Sequence, residues 1–272
     1  MKFTILGSRG FIGRHLTDYL HRQGAEVETV PRDASGLRGG NLGHVIYAIG
    51  LTGNWRQQPG AAVEAHVNVL QRMIEGADFE SWLYLSSTRV YGILPAGEIA
   101  TKDANVPVRL SGDSIFDLSK LLGEAICLGK NDPTVRVARL SNVYGADQSV
   151  HTFLGSIMTD IAATGKVVFG EASLSSKDYV SIDDAVSMLH KIALQGKQRL
   201  YNVARGKPIT HHEVAECLRR CGYSAGFAKN GQTRAFPTID TRRIVGEFGD
   251  VSGSLLEDLP SLIRKRMLLA AA

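Results

Sequence analysis

Gly7, Gly10 and Gly13 recur at every third position. They follow the short apolar run Lys2–Leu6 and precede Arg14–Gln23, in which Leu16, Tyr19 and Leu20 share one helical face. A strand, a glycine turn and a helix start in that order make an anion cradle. The glycines let the backbone turn tightly and approach a pyrophosphate, and the helix start offers unpaired N–H groups and a partial positive charge. The end of the next apolar run, Glu26–Val30, indicates which dinucleotide fits. An acidic residue there would accept from a ribose 2′-hydroxyl, but Pro31 and Arg32 follow instead. An arginine fork suits a 2′-phosphate, and Arg9 inside the glycine turn is a second cation for it. The expected cofactor is NADP(H). NAD(H) is the alternative, with Arg32 a solvated turn residue and Asp33 taking the acid's role. The expected cofactor contacts are Gly7, Ser8, Arg9, Gly10, Phe11, Ile12, Gly13, Arg32 and Ala48.

The elements that must position these residues alternate along the chain. After the first two strands, His44–Ile49 reads as a third. Ala61–Gly76 reads as a long helix, Trp82–Leu85 as a strand, Ser114–Leu128 as a helix and Val135–Leu140 as a strand. Such alternation predicts an α/β fold: a Rossmann-type, doubly wound parallel sheet with ligands at the carboxyl ends of its strands. From about Gly145 the rhythm changes. His151–Thr164, Asp183–Gln195 and His211–Cys221 read as helices, the last capped by Thr210 with Glu213 at capping-box spacing. Val167–Phe169 and Tyr201–Val203 read as short strands. We expect residues 1–145, plus about 172–204, to form the dinucleotide-binding domain. Residues 146–171 and 205–265 should form a small C-terminal substrate lobe.

Composition narrows the partners. With 272 residues, 44% hydrophobic and 21% charged, the chain has enough apolar mass for a core. A net charge of +4 is too balanced to indicate nucleic acid and compatible with an anionic small molecule. The three cysteines are too few for a disulfide framework, and no second Cys or His pair stands at metal-ligand spacing beside Cys217 and Cys221, so no metal is expected. The start of the chain lacks a signal-peptide layout, and no run of about 20 apolar residues could span a membrane. The expected location is cytoplasmic.

Several motifs, in order, resemble the extended short-chain dehydrogenase/reductase family, the NAD(P)-dependent nucleotide-sugar epimerases, dehydratases and reductases. They are the Gly7/Gly10/Gly13 spacing, Asn68 in VNVLQRMIEG, LYLSSTRVYG (Leu83–Gly92), FDLSKLLGE (Phe116–Glu124), RLSNVYG (Arg139–Gly145) and KDYVSIDDAV (Lys177–Val186). The resemblance covers nearly the whole chain. It implies that Ser87 hydrogen-bonds the reacting oxygen, that Lys120 grips the nicotinamide ribose and that Asn142 meets the substrate. It implies that Asn68 is a buried polar residue bonding backbone near the site, and that Tyr91 and Tyr144 are structural.

The resemblance also places a tyrosine acid/base four residues before the lysine, where this chain has Phe116. Phenylalanine has nearly the same shape and no proton to move. Losing a positioned acid/base costs on the order of 10²–10⁴ in rate. Three explanations stand: an inactivated variant, an enzyme using Ser87, water or a substrate group instead, or a non-catalytic NADP-binding protein. Family dehydratases carry an acidic pair after the hydroxyl residue, whereas Thr88 and Arg89 follow Ser87. The leading expectation is an NADPH-dependent reductase of a nucleotide-linked 4-keto (deoxy) sugar. The runner-up is a nucleotide-sugar 4-epimerase holding NAD tightly. Expected substrate contacts are Ser87, Thr88, Asn142, Lys177 and Arg205. His211 and His212, opening a helix, are expected to face solvent. Ala61–Gly76 and Ser114–Leu128 are expected to pair two copies as a homodimer.

Overall fold

The computed structural model describes residues 1–30, 40–51, 53, 55–92, 94 and 98–271. Pro31, Arg32 and Asp33, on which the choice of dinucleotide turned, lie outside the described residues. The chain begins with β1 (Lys2–Leu6), α1 (Phe11–Arg22), β2 (Glu26–Val30) and β3 (His44–Tyr47). A helical stretch follows as α2 (Pro59–Val63), a π-turn at Glu64–Asn68 and α3 (Val69–Glu75). Next come β4 (Ser81–Ser87), a 3-10 turn at Thr88–Tyr91, β5 (Ile99–Ala100), α4 (Ser114–Gly129), β6 (Val135–Leu140) and β7 (Asn142–Tyr144). The second half holds α5 (Phe153–Thr164), β8 (Lys166–Phe169), β9 (Ser176–Lys177), β10 (Tyr179–Ser181), α6 (Ile182–Gln195) and β11 (Leu200–Val203). It ends with β12 (Ile209–Thr210), α7 (His211–Arg220), β13 (Ser224–Phe227), β14 (Thr238–Ile239), α8 (Arg242–Phe248) and α9 (Leu255–Ala271).

Six strands form one parallel sheet in the order β11-β6-β4-β3-β1-β2. The order reverses between β1 and β3, which opens a crevice at their carboxyl ends. Strand side chains alternate between faces. Phe3 and Ile5 of β1 pack with Leu16 and Leu20 of α1 and Val186 and Leu189 of α6. Leu6 faces the other way and joins Val45, Tyr47, Trp82, Tyr84, Leu70 and Cys127. Both faces are therefore covered, as in a doubly wound sheet.

A separate core lies among α5, β8, α7, β13 and α9, built on Leu154, Met158, Ile161, Phe169, Val214, Leu218, Leu259 and Ile263. Thr210 caps α7 with the full reciprocal box to Glu213. Inside 205–265, Ile244 of α8 and Val251 pack with the sheet's core, not with this one. A buried pair ties the sheet's carboxyl end together. Arg139 holds Glu124 through two hydrogen bonds of 2.9 and 2.6 Å and meets the Tyr91 hydroxyl, which in turn donates to Asn202. Tyr91 thus has the structural role that the resemblance implied. Among the described residues, no helix is long and apolar enough to cross a membrane.

Candidate functional site

The glycine turn leads from β1 into α1. Gly7 has φ of +91°, and a Cβ there would stand 2.8 Å from the Ala48 carbonyl carbon at the end of β3. A Cβ on Gly13 would stand 2.2 Å from the Gly7 oxygen, so only glycine lets the helix start close on the loop. Gly10 differs: its nearest neighbour would be 3.4 Å away, and its outer side is open. Gly10 caps α1 without any side-chain hydrogen bond, and the first turn carries no acidic residue. The first amides of α1 are thus left for an anion, and a Cβ at Gly10 would crowd the place it would take. A cavity of about 290 Å³, lined in part by Ser8, Arg14, His15 and Thr29, opens beside the turn. Asp147, after β7, is bound by His15 at 2.9 Å and Arg14 at 3.1 Å, which fixes that loop to α1. Ser8, Phe11 and Ile12 are half-buried around the turn, and Arg9 is exposed on it.

On the other side of the crevice, α4 lies against β4 and β6 and carries Lys120 inward. Its Nζ is buried and donates to the Leu85 carbonyl at 2.8 Å. Two of the three ammonium protons have no acceptor among the described residues, which fits a ribose diol. A Cβ at Gly50 would lie 3.6 Å from both Lys120 Nζ and His66 Nε2, so that glycine keeps the gap above the lysine open. Burial pushes the Lys120 pKa from 10.5 down to about 7, with the Glu124 charge opposing. Ser87, two residues beyond Leu85, ends β4, and its Oγ accepts the Arg89 N–H at 3.2 Å. Thr88 is buried in the 3-10 turn that follows. The residues present therefore fit a dinucleotide across the switch point of the sheet.

Phe116, one turn before Lys120 on α4, is only 4% exposed. Its ring meets Trp55 at 5.7 Å and the edge of His66 at 5.2 Å. Trp55 comes from the loop before α2, and two guanidiniums lie over its indole, Arg56 at 4.4 Å and Arg89 at 5.1 Å. Arg89 also reaches over Phe116, at 5.5 Å, and pairs with Asp117 at 2.9 Å.

The helix expected over Ala61–Gly76 is interrupted at its centre, and this corrects the role expected for Asn68. In the π-turn, carbonyls fall out of the α ladder. Two of them accept from buried phenols, Ala65 from Tyr47 at 2.6 Å and His66 from Tyr84 at 3.2 Å. Asn68 is exposed and binds Glu64 at 2.7 Å. His66, two positions earlier, is the buried polar residue near the site. Ser119 donates its only proton to the Phe116 carbonyl, so His66 Nδ1 donates to Ser119 and Nε2 accepts the Leu51 N–H. The extra residue per turn in a π segment rotates the face, and helical periodicity did not include it.

Segments after β7 supply cations. Lys177, on β9, is mostly buried with Nζ 3.9 Å from the centre of the Phe153 ring. Glu171 faces Lys177, Arg234 and His211 at 3.7, 3.8 and 3.6 Å. Burial lowers the Lys177 pKa; Glu171 opposes this, while the Arg234 and Arg89 charges add to it. His211 corrects the expectation that it faces solvent: it is fully buried and stacked on Phe153 at 4.3 Å. Burial first, then Lys177, lowers its pKa to about 4, so it packs as a neutral ring. One guanidinium nitrogen of Arg205, Nη1, is buried without a partner among the described residues, and the Arg205 N–H binds Asp178 at 3.0 Å. Asn142 is exposed at the start of β7, with Nδ2 bonded to the Asp178 carbonyl at 2.8 Å. The sequence reading missed Trp55, Glu171 and Arg234. Only the tryptophan left a signal, as a bulky aromatic beside arginine in a glycine-rich loop.

Residues 3–58 and 39–204 match the model of the NAD dependent epimerase/dehydratase family. A dTDP-6-deoxy-L-talose 4-dehydrogenase (NAD(P)(+)) of Kitasatospora kifunensis is 26% identical over 251 residues, covering 80% of this chain and 78% of that protein. The structure of RMD from Pseudomonas aeruginosa with NADPH superposes with a TM-score of 0.80 at 19% identity, covering 98% of this chain and 99% of that one. The UDP-glucuronic acid 4-epimerase of Bacillus cereus, with UDP-glucuronic acid and NAD, gives a TM-score of 0.82 at 17% identity, covering 99% of this chain and 100% of that one. These likenesses support the fold; at such identities they do not choose a substrate.

Proposed function

Because the chain belongs to the NAD dependent epimerase/dehydratase family, we propose that it is an NADPH-dependent reductase of a nucleotide-linked 4-keto (deoxy) sugar. The observation that carries this reading is the pairing of an open glycine cradle with a buried lysine that has two donors without a partner among the described residues, across one crevice. The cofactor, when bound, supplies a hydride for a carbonyl carbon. The chain's own residues do the rest. The amides at the start of α1 bind the pyrophosphate, Lys120 holds the ribose hydroxyls, and the Ser87 hydroxyl donates to the reacting oxygen. Arg9 and Arg32 favour a 2′-phosphate. The Kitasatospora relative is named for use of either nicotinamide dinucleotide and the Pseudomonas structure holds NADPH, which is compatible with that preference.

Lys177, Arg205 and Asn142 line the substrate side, where a nucleoside diphosphate would place its charge. Phe116 cannot supply the proton, so turnover in this chain is slow or depends on Ser87 or water. The exposed Leu118 and Leu122 on one face of α4 support pairing of two copies there, while the outer side of the π-turn and α3 is polar, with Glu64 bound to Asn68 and Arg72.

Calorimetric titration with NADPH, NADP⁺, NADH and NAD⁺ tests the cofactor. Tight NADP(H) and weak NAD(H) are expected; NAD carried through purification would move the reading to a 4-epimerase. Phe116→Tyr tests the chemistry. It is expected to raise NADPH oxidation on 4-keto nucleotide sugars by about 10²-fold or more. No gain on any of them would refute the reductase reading.

A further inference from the structure

We propose that Arg89 presents a fixed guanidinium to the sugar end of the cleft and selects nucleotide sugars that carry a carboxylate there. This rests on reading the cleft as a nucleotide-sugar site, and within the proposed reduction it favours a 4-keto uronate over a 6-deoxy sugar. Arg89 is two residues beyond Ser87, and its own N–H is bound to the Ser87 Oγ, so its backbone is tied to the proposed hydroxyl. Its guanidinium lies over both Trp55 and Phe116, the two rings that fill the place beside Lys120. Asp117 takes the Nε–H at 2.9 Å, and the two terminal nitrogens have no hydrogen-bond partner among the described residues. The side chain is 30% exposed, enough for those nitrogens to reach a ligand.

The remaining edge is a pair of parallel donors, the shape that binds a carboxylate through two hydrogen bonds. The aromatic faces and the Asp117 contact hold it still, so little freedom is lost on binding. A neutral hexose would bring only hydroxyls to a partly desolvated cation. A hexuronate brings the complementary charge. The diphosphate has its own cations in Lys177 and Arg205, which leaves Arg89 for the sugar. Phe116 adds to the case, because a ring without a hydroxyl gives a sugar oxygen no donor and leaves Arg89 as the charged donor at that end.

The test compares matched pairs at equilibrium, with NADP⁺ present: UDP-glucuronate against UDP-glucose, dTDP-glucuronate against dTDP-glucose, and GDP-mannuronate against GDP-mannose. In at least one pair the acid is expected to bind tenfold or more tightly. Arg89→Met is expected to remove that preference, the acid losing about tenfold or more relative to its matched hexose, and Arg89→Lys to restore part of it. Equal binding of acid and hexose by the unmodified chain overturns the inference, and this arm needs no variant to fold. A preference that survives Arg89→Met also overturns it. Binding of none of the six overturns this inference, and the nucleotide-sugar reading falls with it only if 4-keto nucleotide sugars also fail to bind.

Discussion

Lys120 gives a prediction in which stability and function pull apart. The perturbation is Lys120→Met, which keeps an unbranched stem in the same space and removes the charge. The Lys120 pKa falls from 10.5 to about 7 on folding because burial penalises the ammonium more than Glu124 helps it. Between those values the unfolded chain holds a proton that the folded chain does not, so stability rises with pH by about 1.4 kcal/mol per pH unit. Below about pH 7 both states are protonated, and the full penalty of about 5 kcal/mol is present. Above pH 10.5 it is gone.

Methionine removes the penalty but leaves the Leu85 carbonyl without its partner, which costs about 1–3 kcal/mol. The variant without cofactor is therefore expected to be about 2–4 kcal/mol more stable at pH 7. That advantage should shrink by about 3 kcal/mol by pH 9.5. Other titrating groups are common to both proteins and cancel in the difference. Urea unfolding at half-unit steps from pH 6.5 to 9.5, with and without the substitution, measures it. A difference constant to within about 1 kcal/mol between pH 7 and 9.5 would refute the argument. In the same variant NADP⁺ should bind at least tenfold more weakly, because the ribose loses its donors.

Two further outcomes follow from the packing. Gly13→Ala places a methyl 2.2 Å from the Gly7 oxygen and should cost about 1–3 kcal/mol in stability and most cofactor affinity. Gly10→Ala has room to fold and should lose affinity with little change in stability, so melting and titration of the two variants separate the strained glycine from the cradle glycine. Arg139→Met leaves Glu124 buried without its cation and should destabilise by about 3–5 kcal/mol in urea unfolding. Adding Glu124→Leu should recover much of that loss, and additive losses in the double variant would show that the pair is not coupled.

Local pattern is enough to place the strand–glycine–helix start, the alternation that makes a parallel sheet, and the capping box at Thr210. Each is set by residues close in the chain: a turn needs glycine where φ is positive, a strand needs a period of two, and a cap needs a side chain three residues from its target. The Lys120 and Ser87 positions were legible through motif order. Packing set what periodicity cannot carry. The π-turn shifted the buried polar role from Asn68 to His66, because two phenols from neighbouring strands stabilise its freed carbonyls. His211 went inside because Phe153, 58 positions earlier, offers its face. Arg89 and Trp55 became one stack over Phe116 because three segments far apart in the chain meet at the carboxyl end of the sheet. Side chains brought together from distant segments leave no local pattern, since their energy exists only when the sheet has brought them within reach.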